Sequence, residues 1–185
     1  MIIIDNIGNL KECKVWLNES PLEKFEVSNT LSSLVKHSHS VTRNNQSIAV
    51  ELFVAPRYYA FLGVEYIYKK TKDIEIIVNV AKKEGRIITD SLALPSDNVN
   101  LGISDEYAQT ILNTSLKVCK NLSNIPSGVL IFNVGAHSDY GSNQVIFSKV
   151  TSILMRLFDN DQSKIEITEL KSIIQNELNK PLTDI

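Results

Sequence analysis

Residues 129–147 read VLIFNVGAHSDYGSNQVIF. From Val129 to Val134 every residue but Asn133 is apolar, with no alternation. That is the pattern of a strand buried on both faces, and hence central in its sheet. The chain then passes His137, Ser138 and Asp139 and turns through Gly141. Apolar residues resume at Ile146, Val150, Ile153, Leu154 and Leu157, the spacing of one helix face. The stretch therefore reads as strand, connection and helix. Ser142 or Asn143 can cap that helix, and Gly141 eases the turn.

Working upstream, LGISDEYAQTILNTSLKVCKNL (101–122) is a second amphipathic helix. Ser104 stands at its N-cap, and Asp105 and Glu106 sit in the first turn, where the helix dipole favours negative charge. Before it, three segments alternate with period two: Ile48, Val50, Leu52 and Val54; Val64, Tyr66 and Tyr68; Ile74, Ile76, Val78 and Val80. Alternation of this kind predicts half-buried strands in an antiparallel or mixed sheet. Strands are expected over 48–55, 64–69, 73–82 and 129–136, with helices 105–122 and 143–158 together on one face. Nearer the start, MIIID and CKVWLNE read as short strands. Residues 27–36 read as a short helix capped by Ser28, with Leu31, Leu34 and Val35 on one side. A last helix is expected over 168–178, capped by Thr168. The fold class is α+β in two layers, a mixed or antiparallel sheet with two helices on one face. Residues 1–45 form an N-terminal extension, 46–158 the α+β domain and 159–185 a C-terminal helical tail.

A 185-residue chain with 43% hydrophobic residues can bury a core without disulfides or metals. The net charge of -2 supplies no global positive field to attract nucleic acid. The opening MIII runs directly into Asp5 and Asn6, so no secretory leader is expected, and no apolar run reaches the length of a membrane span. Cys13 and Cys119 lie far apart with no CxxC, which excludes a zinc knuckle and suits two buried thiols in a cytoplasmic protein.

Three chemistries deserve weighing. GAHSD resembles the strand-end GAHxD segment of metal-dependent aminopeptidases, in which the His ligates zinc and the Asp orients it. His137 and Asp139 would take those roles, but no further His follows and fewer than ~50 residues remain for the other ligands. FDNDQSKIEITELKSII (158–174) resembles an EF-hand, with Asp159, Asp161 and Ser163 at alternate loop positions. Lys164 stands where the sharp turn wants glycine, and Glu169 falls one residue early, so 159–170 reads as a solvated connection. The His37/His39 pair in HSHSVTRNNQS lacks an acidic or Cys partner and reads as a polar loop. No GxSxG elbow, P-loop or GxGxxG occurs, so no nucleophilic serine and no cofactor is expected.

Gly102, Ile103, Glu106 and Tyr107, followed by Gly141, Ser142 and Phe147, carry one family resemblance. Residues 46–158 resemble domain IV of elongation factor G and its tetracycline-protection relatives. There a G-[IL]-P-x-EY segment opens a helix, a strand follows, and a GS turn precedes the last helix. The resemblance implies the ribosomal-protein-S5-domain-2-like fold, a sheet covered on one face by two helices through a left-handed βαβ unit. The GTPase portion and the family's Gly-rich loop are absent, so translocation does not carry over. APRYYAFLG (55–63) stands in place of that loop.

These readings point to a non-enzymatic cytoplasmic binding protein that recognises a protein partner, in the manner of an immunity protein or antagonist. The expected surface is the connection His137, Asp139, Tyr140 and Asn143, extended by Arg57, Tyr58 and Tyr59, a polar–aromatic mixture outside the periodic segments. A ribosome- or RNA-associated factor is the alternative, drawing on Lys69, Lys70, Lys72, Lys82 and Lys83 on neighbouring strand ends. A metal-dependent hydrolase built on GAHSD is the second alternative. No membrane partner is expected.

Overall fold

The computed structural model describes residues 1–36, 43–83, 85–160 and 165–181. Among these, nine strands and three helices follow the order β1 (Ile2–Ile7), β2 (Leu10–Leu17), β3 (Val27–Lys36), β4 (Gln46–Val54), β5 (Tyr58–Tyr68), β6 (Asp73–Ala81), β7 (Ile87–Ile88), β8 (Val99–Leu101), α1 (Asp105–Cys119), β9 (Gly128–Ser138), α2 (Gln144–Asp159) and α3 (Ile167–Asn179). The strands make one mixed, largely antiparallel sheet in the order β1-β2-β4-β5-β9-β6-β3, with β8 pairing to the end of β9 and β7 to β8. The fold is α+β.

The period-two segments pair as their patterns require. Val50 faces Val15 on β2 and Leu62 on β5, and Leu52 faces Cys13 and Ala60, so one side of the sheet is a continuous apolar layer. Ile76 and Val78 of β6 extend it beside Leu130 and Phe132 of β9. Helices α1 and α2 pack on each other there, α1 over β6 and β3, α2 over β5 and β4. β9 runs antiparallel to β5 and parallel to β6, and it is buried nearly throughout, as its unbroken apolar run requires. Since β6 and β9 are parallel neighbours, the chain must cross over between them, and α1 makes that crossing.

Residues 27–36 are a strand, not the helix expected from the spacing of Leu31, Leu34 and Val35. β3 pairs antiparallel with β6 from Asn29 opposite Val80 to Lys36 opposite Asp73. The physical reason lies in the residues between those apolar ones. Ser, Asn, Thr and Val favour an extended chain, and β6 offers a free ladder of backbone groups. Leu31 and Val35 turn toward α1, whereas Leu34 is 67% exposed on the opposite side. The strands drawn from 1–45 thus lie in the same sheet as those of 46–158: β1 and β2 at one edge, β3 at the other.

Polar side chains close the helical layer. Arg43 donates from its guanidinium to the carbonyls of Phe158, Asp159 and Asn160, satisfying orphan acceptors at the C-terminus of α2, and to that of Asn124 in the α1–β9 connection. α3 begins at Ile167 with Glu166 as its N-cap, so Thr168 lies inside the helix and does not cap it. Glu177 holds α3 to α2. It is buried, accepts from Ser152 Oγ, and pairs with Arg156 at 3.3 Å and with Lys180. Lys149 donates to the carbonyls of Glu177 and Lys180, and burial pulls its pKa down. No helix among the described residues is long and apolar enough to cross a membrane.

Removing the buried carboxylate leaves Arg156 and Lys180, both partly exposed, and the nearby buried Lys149 without a counter-charge, and leaves Ser152 Oγ without its acceptor. Glu177→Ala is expected to cost about 3 kcal/mol, read as a lowered urea midpoint with unchanged slope.

Candidate functional site

The β4–β5 turn and the β9–α2 connection are one structural unit. Tyr59 N–H donates to Gly141 O at 3.1 Å. Ser142 Oγ donates to Tyr59 O at 2.7 Å and accepts from Ser138 N–H at 2.8 Å. The Asp97 carboxylate accepts from the amides of Tyr140 (3.1 Å) and Gly141 (2.9 Å), and Ser138 Oγ accepts from Gly141 at 3.0 Å. Gly141 is required by crowding: a Cβ there would stand 2.3 Å from Arg57 O and 2.7 Å from Ser138 Oγ. Of the two cap candidates, Asn143 caps α2, its Oδ1 accepting from Ile146 N–H at 3.0 Å, while Ser142 ties the two loops together.

On this fixed base the expected surface residues divide into three groups. Arg57, Tyr58, Tyr140 and Asn143 come together. Tyr140 is 71% exposed, with the Arg57 guanidinium 5.6 Å from its ring centroid, and Tyr58 is 40% exposed. A cavity of about 210 Å³ opens beside Tyr58 and Asn143, walled by Ile7, Leu10, Val54 and Leu178. Tyr59 does not belong to this surface. It is 1% exposed and donates its hydroxyl to Glu51 Oε1 at 3.0 Å. Alternation along β5 turns it to the other side of the sheet from its neighbour. His137 and Asp139 form the third group, each engaged separately. His137 lies on the helix side, its Nδ1 3.1 Å from Gly102 O and its ring against Tyr107. Asp139 accepts from Asn100 Nδ2 at 2.7 Å and from Asn98 Nδ2 at 3.4 Å. No three His, Cys, Asp or Glu side chains among the described residues are placed to hold a metal ion.

The other candidate features are placed as follows. Asp159 Oδ1 accepts from Asn124 N–H at 2.7 Å, which gives the first position of the calcium-like loop a structural task. Residues 161–164 of that loop, and His37 and His39, lie outside the described residues. The five lysines do not form one patch. Lys69, Lys70 and Lys72 precede β6 and Lys82 and Lys83 follow it, so the nine-residue strand separates them by roughly 30 Å. Lys69 is paired with Glu75 at 3.6 Å and Lys82 with Glu26 at 2.8 Å. Cys13 and Cys119 are both free and buried, and burial pushes the Cys119 thiol up to about 12.

A second constellation, on the sheet face away from α1 and α2, shares only Tyr59 with the sequence reading. Glu51 is 4% exposed at the back of a cavity of about 390 Å³ lined by Trp16, Tyr59, Phe61, Lys14, Arg86 and Asp90. Its Oε1 accepts from Tyr59 Oη and from Leu92 N–H at 2.9 Å, while Oε2 has the Lys14 ammonium at 3.9 Å. Desolvation raises the Glu51 pKa against the lowering pull of those partners, and burial together with the Glu51 charge pushes the Tyr59 phenol well up. The chemistry available is an enclosed carboxyl, fixed by Tyr59 and Leu92, against an aromatic wall. The signal in the sequence was Glu51 within VELFV, which alternation alone assigns to solvent.

No protein-family model, curated protein or solved structure matches this chain.

Two outcomes follow from this geometry. The raised Glu51 pKa makes a stabilising contribution that is whole below its ordinary value of 4.5 and is lost as pH rises through the folded-state value. Glu51→Gln keeps an acceptor for Tyr59 and Leu92, so its melting temperature should gain on the parent's as pH climbs above 4.5, when both are scanned by calorimetry. Gly141→Ala should cost about 1–3 kcal/mol, read in chemical denaturation, because its methyl group meets backbone that cannot yield.

Proposed function

We propose that this chain is a binding protein that recognises a protein partner through the surface made by Arg57, Tyr58, Tyr140 and Asn143. The observation that carries this reading is Tyr140, a large aromatic side chain at 71% exposure under the Arg57 guanidinium, on a connection whose amides are already fixed by Asp97. Arg and Tyr are the residues that most often dominate binding energy, and a rigid base lowers the entropy cost of using them. The adjoining cavity supplies a concave apolar spot beside a polar rim, the anatomy of a recognition surface. An immunity-like or antagonist role is the form of such binding we favour.

The proposed kinship with elongation factor G domain IV rests on element order. α1 crosses between the parallel strands β6 and β9, and α2 follows β9. In that kinship β1, β2 and β3 are additions at the two sheet edges. The ribosome or RNA reading gains nothing from the lysines, which lie at opposite ends of β6. The hydrolase reading gains nothing from His137 and Asp139, which are bound to different groups.

The test is affinity capture from native lysate, with and without ribonuclease, using the full chain beside Arg57→Ala and Tyr140→Ala. Each variant should keep its thermal stability within about 0.5 kcal/mol of the parent. Each should weaken retention of the same protein by more than about 1 kcal/mol, roughly fivefold. Equal retention by both variants retires this surface, and retention abolished by ribonuclease replaces the protein partner with RNA.

A further inference from the structure

β3 is the outermost strand of the sheet, pairing with β6 along one edge and with no described strand along the other. An open strand edge is a template for another chain, and proteins usually blunt it with charge, proline, brevity or a bend. The opposite edge is blunted in this way. β1 has six residues, carries Asp5, and leads through Asn6 (φ 51) and Gly8 (φ 58) into a tight turn. β3 has ten residues, VSNTLSSLVK, with no proline and no charge before Lys36. The Thr30 amide donates to Asn29 Oδ1 at 2.8 Å, a local substitute for the neighbour this edge lacks.

We propose that β3 pairs antiparallel with β3 of a second copy, about a two-fold axis at Ser33, so that two sheets continue as one. The register follows from symmetry. A two-fold axis normal to the sheet keeps each face on its own side, so opposed residues must belong to the same face and the axis must pass through a residue. Centred on Ser33, the pairing sets Leu31 opposite Val35 twice on the α1 side, Ser32 opposite Leu34, and Thr30 opposite Lys36. Every apolar side chain on the buried side then meets an apolar partner, and no charge faces its like. Centred on Ser32, the pairing would set Leu31 against Ser33 and Val35 against Asn29, which divides the apolar pair. A strand from a different protein would have to supply apolar residues at these same spacings; β3 already does so for itself.

The full chain is examined by sedimentation equilibrium over a range of concentrations, where a monomer–dimer equilibrium is expected. Ser33→Cys tests the register. At the axis the two Cα atoms stand about 4.5–5.5 Å apart, within reach of a disulfide. Mild oxidation should therefore give a cross-linked dimer from Ser33→Cys and none from Ser32→Cys. The native Cys13 and Cys119 are buried and do not compete. The double variant Ser32→Lys with Leu34→Lys changes two exposed positions and sets lysine against lysine twice across the axis. It should raise the dimer dissociation constant by roughly tenfold or more while circular dichroism and melting temperature stay as in the parent. A chain that stays monomeric at every concentration overturns the proposal. So does a dimer indifferent to the double variant, or one that cross-links through Ser32→Cys instead.

Discussion

β9 accepts two different hydrogen-bond geometries at once, antiparallel on its β5 side and parallel on its β6 side, and the rest of the structure is arranged around that constraint. A parallel neighbour cannot be reached by a turn, so a crossover is obligatory, and α1 must lie across the sheet. Once α1 covers β6, the layer beside it over β4 and β5 stays uncovered until α2 returns from the end of β9. The junction at Gly141 is therefore where the central strand hands the chain to the helix that completes the core. Its crowding against Arg57 O and Ser138 Oγ reflects that position. Two layers, both helices on one side, and a surface built from the β4–β5 turn and the β9–α2 connection all follow from where β9 sits.

The two faces of the sheet use different physics. The helix-covered face is largely apolar, and its stability comes chiefly from buried area. The other is covered over its middle by loops, which have backbone groups to satisfy, and polar side chains there do that work. Glu51 receives the amide of Leu92, and Asp97 receives those of Tyr140 and Gly141. Enclosing the Glu51 carboxyl there raises its pKa. Its Oε2 lies 3.9 Å from the Lys14 ammonium, so the carboxyl is tied to the loop through Oε1 and to β2 through Oε2.

Much of the architecture was legible in the sequence because most elements have one clean face. Ile48 to Val54 and Ile74 to Val80 alternate, Val129 to Val134 does not, and α1 and α2 carry unbroken stripes. β3 was illegible for the opposite reason: an edge strand buries half of one face only, so Leu34 on the wrong side completed a false helical spacing with Leu31 and Val35. Of the candidate surface, Arg57, Tyr140 and Asn143 could be read as lying outside the strands, whereas Tyr58 opens β5, and the two connections do meet. Tyr59 could not be separated from Tyr58, because which of two adjacent residues faces outward depends on register, not composition. Glu51 escaped notice because a charged residue on an alternating strand is read as solvent-facing unless the covering loop is known.

The Asp97 clasp has a thermodynamic corollary. The Tyr140 and Gly141 amides are already spent on its carboxylate, so a partner docking at this corner would find little backbone left to order. Association there would behave as a rigid-body encounter, its heat-capacity change tracking the apolar area covered without a folding contribution. Its rate would be set by orientation and by the charges at this corner, Arg57 beside the Asp97 carboxylate and the exposed Asp139, and its salt dependence would report their balance.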